Sequence, residues 1–498
     1  MKKSRLIFIF SLLLIASMML AACGGGTEPA GDSSSAATNA DTETAAATEA
    51  PAEEPTEAPM EETTTGDAIE IRWYVGLGAG TDEATIQAQE DVVAAYNASQ
   101  DKIVLKLEIV DNASAYDVLN TQIAAGNAPD IVGPMGIRGR ASFPGAWMDM
   151  NPLIAANNYD LSDFDPALVD FYVFEGEQLG IPFAVFPSFT FFNRDLFDEA
   201  GLPYPPQEYG VPYVDADGNE MDWNTETVRE LAMLLTVDAN GNDATSPDFD
   251  IENIVQFGYG NMWGDMRAIA TLFGPGSLVD ASGNAQFPDN WREAMHWYYT
   301  GMWEEGWYPN GVYGNSDILS AGNWFESGNL AMANVHLWYA ACCVGALESQ
   351  WDAAAVPSYN GVTTAKLHAD TFGIMKTSQH PQEAFEVLTY LLGEKAGELA
   401  AIYGGMPARL SLQDSYFDDL RTKSFGATSG ADINWDVVRA SLSYPDNPSH
   451  EEGLPSFLEA SDRYAQLSQL MDQNPGLDLD AEIDTLVKDL QAIYDAAK

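Results

Sequence analysis

Aromatic residues crowd the middle of the sequence: Trp263 in Gly258-Tyr259-Gly260-Asn261-Met262-Trp263, then Trp303, Trp307, Trp324 and the pair Trp338-Tyr339. Sugars present apolar C–H faces and a rim of hydroxyls. A neutral sugar site therefore combines flat aromatic surfaces with Asp, Asn and Arg hydrogen-bonding groups. Taken singly, each tryptophan is expected to pack in a core. Three similar pentamers offer a different chemistry: Asp215-Ala216-Asp217-Gly218-Asn219, Asp238-Ala239-Asn240-Gly241-Asn242 and Asp280-Ala281-Ser282-Gly283-Asn284. Oxygen ligands at alternate positions suit calcium, and Glu226 falls at the twelfth place of the first. The sixth place, however, is Glu220 rather than glycine, and the other two lack a closing Glu. Tight turns are the expected role, with Asp and Asn capping the bend and Gly at positive φ.

Gly76, Gly78 and Gly80 occupy the place of a dinucleotide fingerprint, but the third glycine of that fingerprint is replaced by Thr81. No P-loop lysine follows. A loop with free backbone N–H groups at a helix start still suits a polar ligand group. His296, His336, His368, His380 and His450 are scattered without H-x-x-x-H spacing, and no C-x-x-C occurs, so no metal is expected. No G-x-S-x-G appears. Among 75 Asp+Glu a glycosidase pair can always be drawn, so acid count is no evidence for catalysis. The chain is not expected to be an enzyme, nor to carry a cofactor.

The elements that must position these residues alternate. Ile69, Ile71, Trp73 and Val75 interleave with Glu70, Arg72 and Tyr74, which is strand periodicity. A helix carrying Ile86, Val92, Val93 and Tyr96 follows, then a strand through Ile103, Leu105, Leu107 and Ile109. A helix over Tyr116–Ala125 ends at Gly126, and Pro129-Asp130-Ile131-Val132 begins a short buried strand. This order predicts a mainly parallel sheet with helices on both faces. Near the other end, Pro381 to about Tyr403 predicts a helix, with Gly404-Gly405 as its stop.

With 498 residues, 46% hydrophobic, the chain can bury large cores. Its formal charge of −53 excludes nucleic-acid binding, which needs clustered Lys and Arg, and docking on anionic lipid by a basic surface. Lys2, Lys3 and Arg5 precede the apolar stretch Leu6–Leu20, too short for the roughly 20 residues of a spanning helix. This is a secretory signal pattern. Leu20-Ala21-Ala22-Cys23 resembles the lipobox of bacterial lipoproteins, which implies a signal over 1–22 and a lipid on Cys23; ordinary cleavage after Ala22 is the alternative. Residues 24–68 hold eleven acidic residues and no aromatic, Lys or Arg, so a disordered tether is expected over 23–68. Such a chain spans on the order of 35–40 Å.

Four blocks then resemble one family. Asn120–Val132, with Gly126 and Pro129-Asp130-Ile131-Val132, is similar to a "GxxPDv" segment. Gly180-Ile181-Pro182-Phe183, Phe191-Phe192-Asn193-Arg194-Asp195-Leu196-Phe197 and Ala200-Gly201-Leu202 resemble "GlP…yyNkdlf…aGl". Phe325-Glu326-Ser327-Gly328-Asn329-Leu330-Ala331-Met332 resembles "F..GkaAM", and Gly404-Gly405-Met406-Pro407-Ala408-Arg409 the closing "g..P.r". In this order they resemble the extracellular solute-binding proteins of bacterial ABC importers, of the maltose/oligosaccharide-binding type. The resemblance implies a periplasmic-binding-protein-like α/β fold: two lobes, mainly parallel sheets, a multi-strand hinge and ligand in the cleft between. Carried over, it puts crossings near Gly180–Pro187, Ala331–His336 and Phe372–Thr377. The lobes become 69–182 with 336–373, and 187–331 with 375–498.

It also implies a monomeric, lipid-anchored, extracytoplasmic receptor that gives a neutral carbohydrate, an oligosaccharide, to a membrane permease. The contacts expected from matching segments are Gly80, Thr81, Asp82, Met135, Phe186, Trp263, Trp338, Tyr339, Asp370 and Arg409. A cationic ligand such as a polyamine in the same fold, or a surface glycoside hydrolase, are the alternatives. Cys342-Cys343 stays open between two small apolar helix residues and a vicinal disulfide forming an apolar patch beside Trp338.

Overall fold

The computed structural model describes residues 68–78, 80–262, 266–446 and 454–498. The expected signal, Cys23, the expected tether up to residue 67 and Trp263 lie outside them. β1 (Ile69–Val75), α1 (Glu83–Ser99), β2 (Ile103–Ile109), α2 (Asn112–Ala124), β3 (Ile131–Met135) and α3 (Ile137–Ala141) begin the described chain. β1 pairs in parallel with both β2 and β3. The alternation in β1 places Ile71, Trp73 and Val75 in the core, while Arg72 reaches Glu108 at 2.6 Å on the other face. β4 (Ile181–Phe186) joins the same sheet, whose full order is β11–β4–β10–β3–β1–β2 once β10 (His368–Ile374) and β11 (Met406–Pro407) return to it.

Pro187 alone separates β4 from β5 (Ser188–Asn193), and there the chain passes into a second sheet. That sheet has the order β6–β7–β8–β5–β9, with β6 (Val237–Asp238), β7 (Ile254–Asn261), β8 (Leu330–His336) and β9 (Trp351–Ala354). It is mixed: β7 and β8 are parallel, while β5 runs antiparallel to β8 and β9. Both sheets are flanked by helices, so the two-lobe α/β architecture is present.

The lobe boundaries differ from the sequence expectation. Residues 336–373 do not belong wholly to the first lobe, because β9 pairs with β5 over Trp351–Ala354. β8 is buried along its whole length and pairs with β5 from Met332–Phe192 to His336–Ser188, so it ends inside the second sheet. The return crossing is the segment 355–367, between β9 and β10. The boundary at 375 moves as well, since Pro381–Leu391 and Ala396–Ile402 pack on strands of the first sheet. These two helices replace the single one predicted from Pro381 to Tyr403. The break falls at Gly393, a residue that weakens a helix interior.

The Asp-rich pentamers are turns. Asp215 Oδ1 accepts from the N–H of Asp217 and Asn219, Asp238 Oδ1 from Asn240 and Asn242, and Asp280 Oδ1 from Ser282 and Asn284. Gly218, Gly241 and Gly283 take φ of +86°, +84° and +80°. These bonds hold the Asp238 carboxyl well below its usual range despite opposition from desolvation.

A helix pair, Phe457–Gln473 and Leu479–Ala496, closes the chain by packing on the helix Asp289–Trp303. Burial pushes the Asp472 carboxyl up from 3.8 to about 6. Between those values the folded chain holds a proton that the unfolded chain has lost, so stability falls as pH rises across the window. Asp472→Asn should remove that fall, worth on the order of 1–2 kcal/mol after solvent screening. Urea midpoints of both proteins between pH 4 and 7 check it; parallel curves would refute it.

Candidate functional site

Between the two sheets lies a cleft of 740 Å³. The first lobe lines it with the loop after β1 (Leu77, Gly78, Asp82), with Tyr116 of α2 and with the start of α3. The crossing segments contribute Phe186 and Lys366–Asp370. The second lobe supplies Arg267, and the short helix Trp338–Cys342 supplies Trp338, Ala341 and Cys342. Ala401–Gly404 complete the wall.

Four of the expected contacts meet here: Asp82, Phe186, Trp338 and Asp370. Trp338 follows β8 almost directly and is half-buried, with the His336 ring 6.1 Å away. Phe186 ends β4 with its ring 5.5 Å from that of His368. Asp370 Oδ1 stands 3.4 Å from His368 Nε2. The register of β10 against β4 shifts between Asp370 and Thr371. Such an irregularity bends a strand and re-aims its side chains. Asp82 caps α1, accepting from the Thr85 N–H at 3.1 Å and the Thr85 hydroxyl at 2.9 Å.

The others stand elsewhere. Met135 is fully buried in a core with Tyr74 and Trp147; the next residue, Gly136, lines the cleft in its place. Tyr339 is likewise buried, and its hydroxyl donates to Asn323 Oδ1. Arg409 lies over the Phe164 ring at 4.7 Å, reaches Asp163 at 3.1 Å and donates to the Tyr159 hydroxyl. It ties the segment after β11 to residues 159–164 and does not line the cleft. Thr81 does not line it either, and Gly80 acts one layer below. Of the remaining tryptophans, Trp303, Trp307 and Trp324 donate their indole N–H to Met471, Glu305 and Gly314, which are packing roles.

Gly80 has φ +104°, and a Cβ there would sit 2.8 Å from Tyr403 Cε1 and 2.9 Å from Val75 Cγ1. Its carbonyl accepts from Gln89 Nε2, whose Oε1 accepts from the Tyr403 hydroxyl at 2.7 Å. Burial, reinforced by Asp370 and Asp82, pushes that hydroxyl well above its usual range and keeps it a neutral donor. Gly80→Ala should cost about 2–3 kcal/mol through strain and overpacking. Thermal unfolding checks this; an unchanged midpoint would contradict the close approach.

Sequence reasoning missed Tyr116, Arg138, Arg267, Lys366, His368 and Tyr403. The i, i+2 spacing of His368 and Asp370 was a readable signal, since residues two apart in a strand share a face. Arg138 lies 5.5 Å from the Tyr116 ring centroid. Arg267 and Asp446 form a buried fork, with Nε–Oδ2 at 2.6 Å and Nη2–Oδ1 at 2.8 Å. The cleft thus mixes aromatic rings with carboxylates and cations and is not a basin of carboxylates.

The structure joins Cys342 and Cys343 as a disulfide. Cys342 is exposed in the cleft, four residues after Trp338.

A family model of bacterial extracellular solute-binding proteins matches residues 78–398. No curated protein matches the chain in sequence. Among solved structures, an ABC substrate-binding protein from Listeria monocytogenes in complex with cycloalternan is 19% identical, at TM-score 0.62 over 85% of this chain and 99% of that one. The sugar-binding protein MalE of Xanthomonas citri is 16% identical, at 0.62 over 86% and 98%. The cyclic α-maltosyl-1,6-maltose binding protein of Arthrobacter globiformis is 16% identical, at 0.61 over 86% and 100%. At these identities the likeness carries the fold.

Proposed function

We propose a function that proceeds from the family: the chain belongs to the bacterial extracellular solute-binding proteins, and its cleft captures a neutral carbohydrate, an oligosaccharide, for an ABC importer. The observation that carries this reading is Trp338, a partly exposed indole in a cleft between two sheets, faced by mixed polar groups. A sugar's C–H face stacks on such a ring while Asp82 and Asp370 accept from its hydroxyls. The carboxylates of Asp82 and Asp370 share the lining with Arg138, Arg267 and Lys366, which disfavours a polyamine. The solved sugar-binding proteins of like fold support the same class.

Closure of the lobes about the segments 186–188 and 355–367 brings both walls to the ligand, and the closed complex is what the permease meets. The chain binds without turnover. It acts as a monomer outside the cytoplasm, tethered through lipid on Cys23; among the described residues no helix is long and apolar enough to cross a membrane. Cys23→Ser should release it into the medium, and retention on the cells would count against the tether.

A thermal-shift panel of neutral sugars, peptides and polyamines tests the ligand class. At least one oligosaccharide should raise the melting temperature, by mass action on the folded state. No shift with any sugar beside a clear one with a polyamine or peptide would overturn the reading.

A further inference from the structure

A second chamber of 270 Å³ opens behind the cleft. Ala341, Cys342, Ala401 and Gly404 line both spaces, so the two share a wall that carries one cysteine of the disulfide. Gly404 packs against Ala341 in that wall, since a Cβ there would sit 2.9 Å from Ala341 Cβ, while Cys342 is exposed along it. Beyond it stand Tyr416, Asp419 and Lys423, the last two paired at 2.6 Å.

The bridge itself needs an explanation. A disulfide stabilises chiefly by closing a loop in the unfolded chain, and one between adjacent residues closes almost none. What it does is local. It fixes the end of the helix Trp338–Cys342 and turns two thiols into an apolar surface. The backbone there is braced separately: the Cys343 carbonyl accepts from Asn323 Nδ2 at 2.8 Å, and the Cys343 N–H donates to the Tyr339 carbonyl. Trp338 and Cys342 are i and i+4 on one helix, hence neighbours on one face.

From this we propose that the chamber is a further subsite for the carbohydrate. The Cys342–Cys343 bridge is its threshold: one sugar unit rests on Trp338, the chain crosses the sulfurs, and the next unit enters the chamber. There the Tyr416 ring supplies a flat face, and the Asp419–Lys423 pair supplies an acceptor and a donor for hydroxyls. The inference rests on the carbohydrate reading and deepens it to a chain longer than the cleft alone holds.

The test is a titration series from disaccharide to hexasaccharide, of the linkage that gives the largest thermal shift with the wild-type protein. Wild-type affinity should rise about tenfold with length, as expected when on the order of 50 Å² of apolar contact is added. Tyr416→Ala should lose that gain and bind the disaccharide as before; Lys423→Ala gives a second reading if Tyr416→Ala does not fold. A wild-type affinity that ignores length, or a gain that survives both variants, overturns the subsite. Absence of binding by every sugar is a different result, because it sinks the carbohydrate reading itself. As a second readout, the longer sugar should slow reduction of the bridge by a water-soluble phosphine. In that reaction the phosphine takes oxygen from water, becomes phosphine oxide and leaves two thiols. Equal rates with and without sugar overturn the threshold.

Discussion

Trp338→Ala should weaken carbohydrate binding on the order of a hundredfold while leaving the unliganded fold nearly as stable. A central aromatic anchor in a binding site typically contributes about 2–4 kcal/mol, and every 1.4 kcal/mol is about tenfold. Trp338 is the one described tryptophan lining the cleft, and its ring is partly exposed there, at the edge of the core and not inside it. The neighbouring Tyr339 supplies the contrast. It is fully buried, so Tyr339→Ala should unfold the helix end and destabilise by about 3–5 kcal/mol. Calorimetric titration with the sugar selected by thermal shift, paired with urea midpoints, separates the two. Binding by Trp338→Ala within threefold of wild type would remove the indole from the account.

The second large effect is on stability. Arg267 and Asp446 are 2% and 0% exposed, and Asp446 Oδ1 also accepts from the Leu367 N–H at 3.0 Å. That bond fixes the connecting segment to the second lobe just before β10. Arg267→Ala strands a buried carboxylate, a change that costs about 3–5 kcal/mol. Replacing both partners by apolar residues of similar volume, Arg267→Met with Asp446→Leu, should recover part of the loss, because neither charge is then desolvated although the Leu367 N–H loses its acceptor. The two urea midpoints check it. A single variant within about 1 kcal/mol of wild type, or a double variant no better than the single, would contradict the pairing as the cause.

Much of the first lobe was legible because its signals are local. The alternation in Ile69–Val75 and the helix stop at Gly126, which takes positive φ, are each decided within a few residues. Sheet membership is not decided locally. Leu330–His336 reads as a fully buried strand in either lobe, and only its pairing with Ser188–Phe192 assigns it. The site shows the same limit. Adjacent residues at a helix start point about 100° apart, so Trp338 and Tyr339 could not both face the cleft, and sequence does not say which does. Arg409 sits in the right block yet faces Asp163, a partner that only tertiary structure brings near. Met135 failed for a related reason: every residue of its strand is buried, and the chain opens to the cleft one position later, at Gly136.

The central claim is that a neutral sugar is held between the lobes against Trp338. A crystal structure of the protein with the oligosaccharide giving the largest thermal shift tests it most directly. The predicted result is a sugar ring stacked on the Trp338 indole, with hydroxyls about 2.7–3.2 Å from the Asp370 and Asp82 carboxylates. A sugar bound outside the cleft, or a cleft holding it with Trp338 turned away, would contradict the account.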